Sequence, residues 1–142
     1  MNLWKLWIIV RLVETGGSAS AQRACQHGGM DDLEVALVDA RDVPATYGGS
    51  VVLLDVREDD EWLRGHAPGA QHIPMGEVSA RMDEIDPDAE LFVVCHTGGR
   101  SLRVSQYLAR NGYEPAAIDG GMLAWAAAGR PVVTDDGGVG AV

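Results

Sequence analysis

Two short runs constrain this chain more than anything else in it: VVLLDV at residues 51–56 and ELFVVC at residues 90–95. Each is an almost unbroken series of apolar residues, valine and leucine foremost. A strand with one wet face alternates apolar and polar side chains, whereas a continuous run suits a strand covered on both faces. Burial on both faces belongs to parallel sheets, whose crossover connections lay helices on either side. The segments between the runs read as those helices. EDDEWLRG at 58–65 gives one or two turns, with acids at the positive end and Gly65 at the stop. MGEVSARMDEI at 75–85 reads as a helix. SLRVSQYLARNG at 101–112 is the clearest: Leu102, Val104, Tyr107 and Leu108 make one broad apolar face, and Asn111 with Gly112 end it. Shorter strands are expected at 34–38, 70–74 and 115–118, a short helix capped by Asp39 reaching about Thr46, and a last helix at 121–129. The sequence therefore predicts an α/β fold with a parallel sheet and helices on both faces.

Length and charge narrow the function. With 142 residues, the chain suits one ordinary domain. Its net charge is −10, and no basic patch with interleaved aromatics occurs, so nucleic acid and anionic membrane surfaces are disfavoured as partners. The first thirty residues differ: Lys5, Arg11 and Arg23 stand against Glu14 alone. The apolar stretch at 3–13 is too short to span a bilayer and is interrupted by charge. Residues 1–30 are thus expected to be an extension, with three readings open: a start-site artefact before Met30 or a disordered tail, a surface or partner helix, or a signal ending near residue 21. Residues 31–134 are expected to form the domain, and 135–142 a flexible C-terminal tail. The two cysteines, Cys25 and Cys95, make neither a disulfide framework nor a zinc motif, which points to a reducing, cytoplasmic setting. Neither metal nor cofactor is expected, and His66 and His72 are expected to be structural.

The run at 90–95 ends on a thiol, followed by HTGGRS. In open α/β sheets, ligands bind at the carboxyl ends of strands. Glycines at 98 and 99 allow backbone angles closed to other residues, so successive amides can turn inward as an anion nest. The helix beginning near Ser101 adds partial positive charge, and Arg100 a full one. Each feature favours negative charge on the Cys95 sulfur, as an activated nucleophile requires. A buried structural cysteine before a turn is the competing reading.

Four blocks, in order, decide between them. LLDVREDDEW (53–62), GHAPGAQHIP (65–74, with Ala67 where isoleucine is usual), VVCHTGGRS (93–101) and DGGMLAW (119–125) resemble the motifs of the rhodanese family over roughly residues 31–134. The resemblance implies a single rhodanese-like domain with a five-stranded parallel sheet, and sulfurtransferase chemistry. A thiolate at Cys95 takes the outer sulfur of thiosulfate or a persulfide, holds it as a persulfide, and yields it to cyanide, a thiol or a protein acceptor. Arg100 would neutralise and orient the donor. His96, Thr97, Gly98, Gly99 and Ser101 would surround the transferred sulfur, and Asp55 and Arg57 would support the loop, Arg57 pairing with Glu61 four residues on. A phosphatase group of the same fold spaces its arginine six places after cysteine. Here the spacing is five, a cradle better suited to one sulfur atom than to a phosphoryl group or arsenate. A sulfur-carrier or docking module remains the other alternative.

Overall fold

The computed structural model describes residues 34–142. The N-terminal extension, with Cys25 and the apolar stretch at 3–13, lies outside them. Five strands form one sheet: β1 (Ala36–Val38), β2 (Val51–Asp55), β3 (Gln71–His72), β4 (Glu90–Val94) and β5 (Pro115–Ile118), in the order β1-β5-β4-β2-β3. Every pairing is parallel. The two continuous apolar runs are neighbours, with Leu53 opposite Phe92 and Asp55 opposite Val94, so they end level. Their side chains divide between two cores. Leu53, Phe92 and Val94 face Met122 and Trp125 of one helix, α4 (Gly121–Ala127). Leu54, Leu91, Val93 and Cys95 face Val104 and Leu108 of another, α3 (Gly99–Arg110). A helix covers each face, which is why neither run alternates.

Four local expectations change. The helix expected from Asp39 to Thr46 is a single 3-10 turn, Ala40–Asp42. The Asp39 carboxylate does accept from the Arg41 amide, but Pro44 drives Val43 into extended backbone and ends the turn there. The helix expected at 75–85 is three short pieces: 3-10 turns at Met75–Glu77 and Met82–Glu84, with α2 (Val78–Arg81) between them. The Tyr113 hydroxyl donates to the Met82 carbonyl at 2.8 Å, serving a group that a continued helix would have used. Helix α3 begins at Gly99, two residues before Ser101, which puts Gly99 and Arg100 in its first turn.

The fourth change concerns residues 135–142, expected as a flexible tail. They fold back as part of a hairpin. Thr134 N donates to the Gly138 carbonyl and Gly140 N to that of Val132, while Val133 and His66 exchange both backbone hydrogen bonds at 2.8 and 2.9 Å. Ala141 N then donates to the Arg64 carbonyl. Contact is close enough that a β-carbon on Gly65 would lie 2.6 Å from Ala141 backbone atoms, so glycine is required there by space alone. Arg64 closes the helix α1 (Asp59–Arg64), so the hairpin is fastened to the end of that helix.

Candidate active site

The carboxyl ends of β2, β4 and β5 lie side by side, and the segment leaving each contributes to one site. Cys95 directly follows β4, the central strand, and is 1% exposed. Its Sγ accepts from the Gly98 amide at 3.0 Å and lies 3.5 Å from Ser101 Oγ, which itself donates to the Gly98 carbonyl at 3.0 Å. Ser101, fully buried, is therefore a strut beneath the sulfur and not a helix cap. The cap is Gly98, at φ +116°, a left-handed angle that turns the chain sharply enough to bring its own amide back onto the thiol. The first regular helical bond of α3 is Leu102 N to the Gly98 carbonyl. The amides of Gly99, Arg100 and Ser101 precede it and have no acceptor within the helix. Gly98 and the α3 terminus thus offer a row of N–H groups beside the sulfur, and Gly99 sits there in ordinary helical backbone.

The GG of the DGGMLAW block has a spatial cause. Helix α4 runs its amino end against the cysteine loop, with Met122 N donating to the Cys95 carbonyl at 2.7 Å and Leu123 N to that of His96 at 3.2 Å. A β-carbon on Gly121, at φ +59°, would fall 2.4 Å from the Cys95 carbonyl oxygen. Two helix termini therefore fix the loop from opposite faces of the sheet. His96 is half-buried, while Thr97 is exposed at the loop tip.

Arg100 is placed differently from expectation. Its fork is engaged by Glu61 of α1, with Nη1 and Nη2 each donating to one carboxylate oxygen at 2.7 Å. The same carboxylate accepts from the Glu58 amide at 2.9 Å, completing the capping box of α1. The Arg100 hydrogen bonds, against the opposing effect of burial, hold the Glu61 pKa down at about 2 from an ordinary 4.5. The Arg100 pKa is raised, first by Glu61, with a smaller coulombic contribution from Cys95. A carboxylate with a depressed pKa stabilises the fold above its ordinary value and loses that contribution as the pH falls towards the depressed one. Glu61→Gln is therefore expected to cost about 1–2 kcal/mol at neutral pH. The deficit relative to wild type should shrink below about pH 4.5 and vanish near pH 2. Urea titrations of both proteins across that range would check this, and a deficit independent of pH would contradict it.

Arg57 does not pair with the Glu61 carboxylate. Its Nε and Nη2 grip the Asp55 carboxylate at 2.8–3.0 Å, Nη2 also donates to the Gly65 carbonyl at 2.7 Å, and Glu61 offers it only a backbone carbonyl at 3.5 Å. Both residues are at most 1% exposed. Arg57 thereby ties the end of β2 to the Glu61 and Gly65 carbonyls, in α1 and at its C-cap, and α1 is the helix that presents Glu61 to Arg100. Trp62, on the same helix, stacks with both His66 and His72, with ring centroids 3.6 and 4.6 Å away. Both imidazoles are anchored to backbone, His66 Nδ1 at Trp62 O and His72 Nε2 at Arg57 O. Among the described residues, no group of three His, Cys, Asp or Glu side chains has the geometry to hold a metal ion, and no helix is long and apolar enough to cross a membrane.

The family model for the rhodanese-like domain matches residues 22–128. The chain belongs to the rhodanese-like domain family. Its relatives include a protein named sulfurtransferase from Allochromatium vinosum, 33% identical over 108 residues, covering 75% of this chain and 94% of the relative. YtwF of Bacillus subtilis is 40% identical over 79 residues, 56% of this chain and 77% of its own. Among solved structures, a rhodanese-related protein from Thermoplasma volcanium superposes with a TM-score of 0.64 at 26% identity, covering 70% of this chain and 99% of that one. The rhodanese-like match starts at Gln22, upstream of the boundary expected at residue 31, and stops before the C-terminal hairpin.

Proposed function

We propose that this rhodanese-like domain is a sulfurtransferase that carries a sulfane sulfur on Cys95. The observation that supports it best is the sulfur's position: at the end of the central strand, 3.0 Å from the Gly98 amide and beside the unpaired amides of α3. In the first half-reaction the Cys95 thiolate attacks the outer sulfur of thiosulfate. The new Cys95 S–S bond forms as the donor's S–S bond breaks, and its electron pair leaves with sulfite. In the second, cyanide or a thiolate attacks the terminal sulfur, and the pair of the breaking S–S bond returns to Cys95. Charge balances in each step, and the negative charge on the terminal sulfur is met by the amides at 98–101. These are fixed before the reaction by Ser101 and by the two helix termini, so little reorganisation is required.

Arg100 orients the donor in this reading, and Glu61 holds the guanidinium where it can do so. Asp55 and Arg57 act through α1, one step further from the sulfur, while His96 and Thr97 border the mouth. A lysine at 100 cannot occupy both Glu61 oxygens from one plane. Arg100→Lys is expected to lower kcat/KM for thiosulfate by about tenfold, and Arg100→Ala by more. Unchanged steady-state kinetics in Arg100→Ala would remove Arg100 from the mechanism. The reading as a whole is tested by mixing the protein with thiosulfate in the absence of an acceptor. One sulfite per chain should be released, and continuous thiocyanate production should follow when cyanide is added. No sulfite burst and no turnover would reject sulfur transfer from this donor.

A further inference from the structure

The two histidines stacked on Trp62 are titratable groups that the chemistry at Cys95 leaves unused. His66 Nδ1 lies 3.0 Å from the Trp62 carbonyl oxygen. A carbonyl only accepts, so this nitrogen carries a proton. His66 Nε2 lies 3.4 Å from Asp135 Oδ1, which is an acceptor as well. A neutral imidazole has one N–H and can serve one of these neighbours, whereas the imidazolium has two and serves both. Asp135 belongs to the turn of the C-terminal hairpin, beyond the residues that the family model matches. Its neighbour Asp136 is held within that turn by the Gly138 amide and the Thr134 hydroxyl, so the two acids have different tasks. The other charged groups around His66 are already engaged. Arg57, which donates to the Gly65 carbonyl, is neutralised by Asp55, Glu61 is taken by Arg100, and Arg64 meets Asp60 at 3.5 Å. His72 shares the Trp62 ring, with Nε2 on the Arg57 carbonyl and Nδ1 3.9 Å from Asp59, too far for a hydrogen bond.

We propose that His66 and Asp135 form a proton-dependent latch, which clamps the C-terminal hairpin to the end of α1 when His66 is protonated and leaves it held by backbone hydrogen bonds alone when His66 is neutral. In the neutral form the Nε2 lone pair faces the Asp135 carboxylate. Protonation replaces that opposition with an N–H and an opposite charge, and stacks a cation on the Trp62 indole. Imidazoles ordinarily gain their proton between about pH 8 and 5, a range in which carboxylates stay ionised. The clamp is therefore present at the acid end of that range and lost towards the alkaline end. The Asp135 side chain is 59% exposed, which keeps the pair modest in strength. The backbone bonds that remain are the exchange between His66 and Val133 and the bond from Ala141 N to the Arg64 carbonyl. The latch bears on α1, the helix whose Glu61 grips Arg100, but its action does not depend on the chemistry at Cys95.

The test is amide hydrogen exchange on the full chain at pH 5.5 and pH 8, expressed as protection factors so that the intrinsic pH dependence of exchange cancels. The amides read are those of Val133, Gly140 and Ala141, which donate within the hairpin and to α1, against the amides of β4, which report the fold as a whole. In wild type, hairpin protection relative to β4 should be about threefold higher at pH 5.5 than at pH 8. Asp135→Asn, an exposed and nearly isosteric change, should abolish that difference, while Asp59→Asn should leave it intact. Equal hairpin protection at the two pH values in wild type, or the same threefold difference in Asp135→Asn, overturns the latch. A difference lost in Asp59→Asn but kept in Asp135→Asn would put the switch at His72 and overturn it equally.

Discussion

Cys95→Ser is expected to leave the fold and its melting transition in place and to reduce sulfur transfer from thiosulfate to background, a loss of at least on the order of a thousandfold. Oxygen is smaller than sulfur and forms the same hydrogen bonds, so it can sit between the Gly98 amide and Ser101 without disturbing either. A hydroxyl, however, ionises poorly near neutral pH and cannot store a sulfane sulfur. Retention of thiosulfate-to-cyanide activity in this variant would contradict the assignment. Cys25→Ser provides the contrast and should be nearly silent. A comparable loss there would indicate a relay between two thiols.

Arg57→Ala is expected to destabilise the protein by about 3–5 kcal/mol, because it leaves the Asp55 carboxylate buried without its partner. Against a total stability of about 5–15 kcal/mol, this is a large fraction, and activity should fall with the folded population. Asp55 is 0% exposed, so the carboxylate loses its partner in a buried setting. Removing both charges together, as in Asp55→Leu with Arg57→Met, should recover much of the loss, because no buried charge is then left unpaired. Urea midpoints of the three proteins decide the matter. A single mutant within about 1 kcal/mol of wild type would show that the pair is not the anchor that its geometry indicates.

The sheet could be read from the sequence because its cause is local. Continuous apolarity in 51–56 and 90–95 reports burial on both faces, and the strands followed. The thiol at the end of the second run and the turn after it were legible for the same reason, since Gly98 does adopt a left-handed angle. The partner of Arg100 was not. Glu61 lies 39 residues earlier, and helical spacing made Arg57 its natural companion. Only the fold reveals that Arg57 is consumed by Asp55 two residues away, which frees the Glu61 carboxylate to cap its own helix and reach across to α3. The hairpin was missed because DDGGVG is composed like a frayed end, and its order comes from long-range contact with residues 64–66. Gly121 has a similar lesson: its reason is the Cys95 carbonyl, which no spacing within its own helix discloses.

The central claim is that Cys95 holds the sulfur in transit, and mass spectrometry of the thiosulfate-treated protein tests it most directly. After treatment without acceptor, the peptide containing Cys95 should gain the mass of one sulfur atom, the peptide containing Cys25 should not, and cyanide should remove the added mass. An unmodified Cys95 peptide, or sulfur found on Cys25 instead, would contradict the account.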